Sequence, residues 1–187
     1  MKTVLLIVIA VLLSVMLGAC AAVNETPAEG TKSETEGGVV DNTYHKQEGV
    51  DVIYLAGGCF WGTEQLMQTI PGVVEATSGY ANGEEGIVPD YGTVSGTGFK
   101  ETVRVEYQPD TVSLEMILFI YFRSIDPTLT NRQGNDAGTQ YQAGVYWVDD
   151  AAKDTVLRIA DVEKSRYEEF AVEIEPLKSF YDAEEYH

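Results

Sequence analysis

Cysteine and histidine are scarce in this chain of 187 residues, with two of each. Two cysteines cannot build a disulfide framework, and no His or Cys pair falls at metal-ligand spacing, so no zinc site and no other bound metal is expected. Basic side chains are scarce as well. Only 12 Lys and Arg stand against 30 Asp and Glu, giving a net charge of −18 and a pI near 4.3. A field of that sign repels phosphate backbones, which excludes nucleic acid as a partner. Internal repeats and a second folded domain are also missing. Apolar residues are plentiful: 44% of the chain is hydrophobic against 22% charged, enough for one compact core.

The single long apolar run stands at the start, where Lys2 precedes Val4 to Val15, interrupted only by Ser14, and Leu17-Gly18-Ala19-Cys20 follows. This resembles a bacterial lipoprotein signal. The resemblance implies that residues 1–19 are cleaved and that Cys20 carries lipid on its sulfur, anchoring an extracytoplasmic protein to the bacterial membrane. The plainer alternative is an uncleaved anchor with an incidental cysteine, against which the shortness of the run counts. Residues 20–48, rich in Glu, Thr, Gly and Ala, read as an acidic, solvated tether. Removing residues 1–19 takes away one lysine and no acid, so the mature surface disfavours anionic lipid and anchoring falls to the acyl chains. Residues 49–187 are left for the folded domain, expected to be a monomer.

Periodicity within that domain alternates between the two regular types. Strands are expected at Asp51 to Ala56, Val73 to Tyr80, Glu101 to Tyr107, Gly144 to Val148 and Ala171 to Glu175. Helices are expected at Cys59 to Ile70, at Leu114 to Ile125 with its i, i+3, i+4, i+7 apolar stripe, and from about Asp150 to Phe170. The resulting order βαββαβαβ is an α+β arrangement, a two-layer open sandwich. Residues 82–98 form a glycine-rich loop of a length that more often serves a site than a scaffold.

Three features carry chemistry. Cys59 follows a strand and two glycines and opens a helix, where unpaired amides and the positive end of the helix dipole lower a thiol pKa. It is a candidate nucleophile, the alternative being a buried cysteine acting as a small hydrophobe. Glu101 falls by period two on the side of Val103, Val105 and Tyr107, opposite Thr102, Arg104 and Glu106. Desolvation there raises a carboxyl pKa and makes a candidate general acid, unless the strand end frays into water. The loop from Arg132 to Tyr141 could line a polar pocket or be merely a well-capped turn. His45 lies in the tether and His187 is the last residue, so a Cys-His hydrolase has no evident base.

Gly58-Cys59-Phe60-Trp61-Gly62 resembles the signature of peptide methionine sulfoxide reductases of the A type, the MsrA family. The likeness runs from about Val52 to His187. It continues through Gly79-Tyr80, Tyr91, Glu101-Thr102-Val103, Gln133-Gly134-Asn135-Asp136 with Gly138-Thr139-Gln140-Tyr141, and Ala183-Glu184-Glu185-Tyr186-His187. The expected fold is a mixed sheet on a ferredoxin-like βαββαβ core. The resemblance implies that Cys59 attacks the sulfur of methionine S-sulfoxide, in proteins or free, while Glu101 protonates the oxygen that leaves. Tyr91 and Tyr141 match a pair of tyrosines that bind that oxygen, Phe60 and Trp61 an aromatic pair that holds the substrate methyl, and Asp136 a residue that orients the site. No bound cofactor is implied. Cys59 would end as a sulfenic acid, to be reduced by an external thiol, outside the cytoplasm a membrane-linked thioredoxin-like partner.

Two departures from the family pattern stand out. The stretch from Tyr91 to Glu101 is short, with Phe99 where histidine is common, so the pocket rim is expected to differ. The sequence ends at Tyr186-His187, where relatives commonly continue. A thiol peroxidase would also need a low-pKa cysteine, but one paired with an arginine, and none lies near Cys59 in sequence. A lipid-tethered binding domain with inert Cys59 is the non-enzymatic alternative.

Overall fold

The computed structural model describes Val40, Asp41 and residues 43–187. The expected signal peptide and most of the tether, Cys20 included, lie outside the described residues. Among those described, the chain runs β1 (Val40–Asp41), β2 (Asp51–Ala56), α1 (Phe60–Gln68), β3 (Val73–Ala81), β4 (Lys100–Tyr107), α2 (Leu114–Ser124), β5 (Arg132–Gln133), β6 (Asp136–Ala137), β7 (Gly144–Trp147), α3 (Asp150–Lys164), β8 (Glu173–Pro176) and β9 (Ser179–Asp182).

Seven strands form one mixed sheet in the order β1-β9-β3-β4-β2-β7-β8. Its centre, β3-β4-β2-β7, is antiparallel throughout and carries α1 and α2 as crossovers, which is the expected ferredoxin-like core. β8 extends one edge parallel to β7, and β9 extends the other antiparallel to β3.

Capping explains where the longer helices begin. Ser113 Oγ accepts from the Met116 N–H at 3.3 Å to start α2, and an Asp149 carboxylate oxygen accepts from Ala152 N–H at 2.7 Å to start α3. α3 ends at Lys164, earlier than the apolar pattern predicts. Glu168 and Glu169 would bring negative charge to the negative end of the helix dipole, and Phe170 instead leaves the helix to pack 6.2 Å from Phe122.

All three helices cover the same sheet face. Phe60 and Met67 of α1, Ile117, Leu118 and Tyr121 of α2, and Ala152 and Val156 of α3 pack with Ile53, Leu55, Val103 and Val105. The buried Tyr121 hydroxyl donates to the carbonyls of Ala56 at 2.6 Å and Gly144 at 3.2 Å, fixing α2 to the ends of β2 and β7.

The opposite face holds a smaller cluster of Val52, Tyr54, Ala56, Tyr146, Leu177 and Phe180. Thr102, Arg104 and Glu106 do point there, as strand alternation requires, and all three are buried. Arg104 pairs with Asp41 at 3.3 Å, Glu106 at 3.2 Å and Asp182 at 2.9 Å. Asp41 falls inside the range read as tether, residues 20–48. The folded unit therefore includes β1, which pairs parallel with β9, and a charged strap that local composition could not reveal.

Candidate active site

Gly57 and Gly58 lead the chain out of β2 toward α1. Gly58 has φ of +76°, and a Cβ there would lie 2.9 Å from Gln133 Cβ, so glycine meets both the backbone and the space. Its N–H donates to the Tyr141 carbonyl at 3.4 Å, which brings the polar loop against the turn that presents Cys59. That loop contains a short hairpin, β5–β6, and Gly134 takes the positive φ of its two-residue connection. Thr139 Oγ1 donates to the Ser95 carbonyl at 3.0 Å and ties it to the glycine-rich loop that bears Tyr91.

Cys59 is the N-cap of α1, a free and partly exposed thiol in extended backbone. Its sulfur makes no capping hydrogen bond, contrary to the expectation that helix amides would converge on it. Glu101 has taken that place. The first helical amide, Phe60 N–H, donates to Glu101 Oε2 at 3.1 Å. Glu101 itself is 2% exposed, on the Val103 face of β4 and opposite Tyr80 in the ladder, so the strand end does not fray. Its carboxyl therefore lies one peptide unit from Cys59. Burial pushes the Glu101 pKa up and the Asp136 carboxylate adds to this, while the Phe60 amide opposes both; the outcome is about 7.

Tyr141 sits in a single 3-10 turn, Thr139–Tyr141. Burial raises its pKa, and Glu101, Tyr91 and Asp136 raise it further. Phe60 and Trp61 stack with ring centres 6.4 Å apart but differ in setting. Phe60 is a core residue at 1% exposure, while Trp61 is 51% exposed. Phe99, noted for replacing a common histidine, is buried edge-on to Tyr181 and leaves room only for glycine at position 83.

Two residues here, His187 and Glu184, belong to the motif stretch Ala183–His187, which carries no assigned role in the sequence. Yet the His187 side chain is 3% exposed and its ring lies 4.6 Å from Tyr91, 5.2 Å from Phe60 and 5.5 Å from Trp61. Glu184 accepts from the Tyr91 N–H at 3.0 Å and from the Tyr80 hydroxyl at 2.9 Å. Strand β9, Ser179–Asp182, carries this group to the site by returning Ala183 to the sheet, where its N–H donates to the Ser78 carbonyl at 2.9 Å.

A sequence model of the family described as peptide methionine sulfoxide reductase matches residues 51–187. The chain belongs to that family. A curated member, peptide methionine sulfoxide reductase MsrA of Clostridium acetobutylicum, is 46% identical over 138 residues, covering 72% of this chain and 85% of the relative. Mxr1 of Saccharomyces cerevisiae, solved in reduced form, superposes with a TM-score of 0.72 at 37% identity, over 77% of this chain and 85% of the yeast chain. The same yeast protein, solved in complex with Trx2, gives 0.57 at 29% identity over 78% and 90%. The family's α+β architecture, a curled mixed sheet with three helices, is the one described above.

Proposed function

We propose that this chain reduces methionine sulfoxide to methionine with Cys59 as nucleophile and Glu101 as proton donor. The observation that carries this reading is the Glu101 carboxyl bonded to the amide next to Cys59, with a pKa near neutrality that leaves much of it protonated. Cys59 Sγ attacks the sulfoxide sulfur. As the S–O bond weakens, Glu101 protonates the oxygen, and phenol donors from Tyr91 and Tyr141 stabilise the charge developing there. The protonated oxygen leaves as water, and water then attacks the cysteine sulfur and breaks its bond to the methionine sulfur. Methionine leaves reduced by two electrons, and Cys59 remains as a sulfenic acid. Trp61 and Phe60 supply the apolar wall for the methyl, and Asp136 orients Tyr141 and Glu101.

A dithiol then attacks the sulfenic sulfur, expels water and departs as a disulfide, restoring the thiol. The yeast relative was solved with Trx2, which supports a thioredoxin-like reductant here. Among the described residues there is no other cysteine. The expected substrate is the S epimer, in oxidised proteins or as the free amino acid.

The reading is tested by turnover of each sulfoxide epimer with dithiothreitol. Cys59→Ser should abolish the reaction, and Glu101→Gln should lower kcat by about 10² to 10⁴ near pH 7, the usual range for removing a general acid. Undiminished activity in Cys59→Ser, or faster reaction with hydrogen peroxide than with either sulfoxide, overturns it.

The amino-terminal signal supports placing this repair activity outside the cytoplasm, on a bacterial membrane, through lipid on Cys20 after cleavage of residues 1–19. Cys20→Ala should move the protein from the detergent phase to the aqueous phase in a partition assay. Equal partition of both forms rejects the lipid anchor.

A further inference from the structure

Tyr91 is 48% exposed and sits on a loop whose own bonds are mostly local, such as the Asp90–Thr93 turn. A phenol that must meet a reacting oxygen has to be held to within about half an ångström. The loop's internal turns do not fix Tyr91 relative to the sheet, but one carboxylate does. Glu184 Oε1 accepts from the Tyr91 peptide N–H at 3.0 Å, and Oε2 accepts from the Tyr80 hydroxyl at 2.9 Å. Tyr80 is buried, stands opposite Glu101 in the β3–β4 ladder, and holds its ring 5.8 Å from Phe60. The loop tyrosine is thereby tied to the same rung of the sheet that sets the proton donor.

We infer that Glu184 is a positioning residue for the reduction, bridging the Tyr91 amide and the Tyr80 hydroxyl so that Tyr91 keeps its place relative to Glu101. The inference rests on the reading that the Tyr91 hydroxyl binds the sulfoxide oxygen. At this half-exposed position water could satisfy the Tyr91 amide, so the bridge is not needed to pair a donor. What it supplies is a fixed distance, through two charge-assisted hydrogen bonds.

The test compares the full chain with Glu184→Ala, Glu184→Gln, Glu184→Asp, Tyr91→Phe and the Glu184→Ala/Tyr91→Phe pair. Turnover of N-acetylmethionine S-sulfoxide with dithiothreitol is measured, and cooperative thermal unfolding confirms that each variant is folded. Glu184→Ala should lower kcat/KM by roughly tenfold to a hundredfold, the scale of a one-ångström misplacement. Glu184→Gln should recover most of the loss, since its oxygen still accepts from the amide and its NH₂ can donate to the Tyr80 oxygen. Glu184→Asp keeps the charge but is one methylene too short to span both partners, so it should behave like Ala and carries the test if the Ala variant does not fold. In the Tyr91→Phe background, Glu184→Ala should add little further loss.

Full additivity of the two losses, parental kinetics in Glu184→Ala, or parental kinetics in Glu184→Asp overturns the positioning role alone. Parental turnover in Tyr91→Phe overturns the underlying reading of Tyr91, and the positioning role falls with it.

Discussion

Glu101 ties stability to activity. Its pKa rises from the ordinary 4.5 to about 7 in the fold because burial favours the neutral acid. Between those two values the folded state holds the proton more tightly than the unfolded state does, so stability falls as pH rises from about 4.5 to 7 and the full cost is present above 7. At about 1.4 kcal/mol per pKa unit this contribution is roughly 3 kcal/mol. Glu101→Gln is neutral at every pH and should flatten that part of a urea-denaturation pH series. In the proposed mechanism the proton that leaves Glu101 near pH 7 is the one delivered to substrate, so the same substitution should remove the alkaline fall of kcat/KM. A wild-type profile that stays level from pH 6 to 9 rejects this assignment. Glu101 was legible in the sequence because a carboxylate in phase with Val103 and Val105 breaks a simple alternation. His187 was not, because its place depends on how a distant strand pairs.

The segments that position the site are of two kinds. α1, β4 and α2 declare themselves through periodicity, and their observed bounds fall close to the pattern. The hairpin β5–β6 and strand β9 do not, since two to four residues are too few for any period and their pairing partners are remote or supplied by a turn. Gly58 is where the two kinds meet. Its positive φ and its lack of a Cβ, which would lie 2.9 Å from Gln133 Cβ, allow the hairpin loop to close over the Cys59 turn. Gly58→Ala should cost about 1–2 kcal/mol for the left-handed backbone alone, read as a lower urea midpoint. A displaced Gln133 moves the loop that carries Asp136 and Tyr141, so kcat/KM should fall as well. A variant with parental stability and parental kinetics would mean that the loop does not depend on this approach.

At the scale of the whole molecule, the sheet divides its work between two faces. The helix side is apolar and ends at Cys59, whereas the other side is clamped by ions. Arg104 is buried there with Asp41, Glu106 and Asp182 around its guanidinium, and Tyr54 donates its hydroxyl to Asp41 Oδ2 at 2.7 Å. Alternation in β4 showed which way Arg104 faces, but a residue 63 positions earlier, in a stretch with the composition of a linker, gave no sign of being its partner. Asp41→Ala removes one counter-ion from a buried cation and the acceptor of a buried phenol. Losing one partner of a buried pair costs about 3–5 kcal/mol when nothing else compensates. Glu106 and Asp182 remain, so the expected loss is about 2–4 kcal/mol, measured by urea denaturation of the full chain at pH 7. Methionine sulfoxide turnover by the folded protein should stay at the parental level, because the strap lies across the sheet from Cys59. A loss below about 0.5 kcal/mol, the size typical of a surface substitution, would show that the strap adds nothing to the fold and that the tether ends where composition placed it, at residue 48.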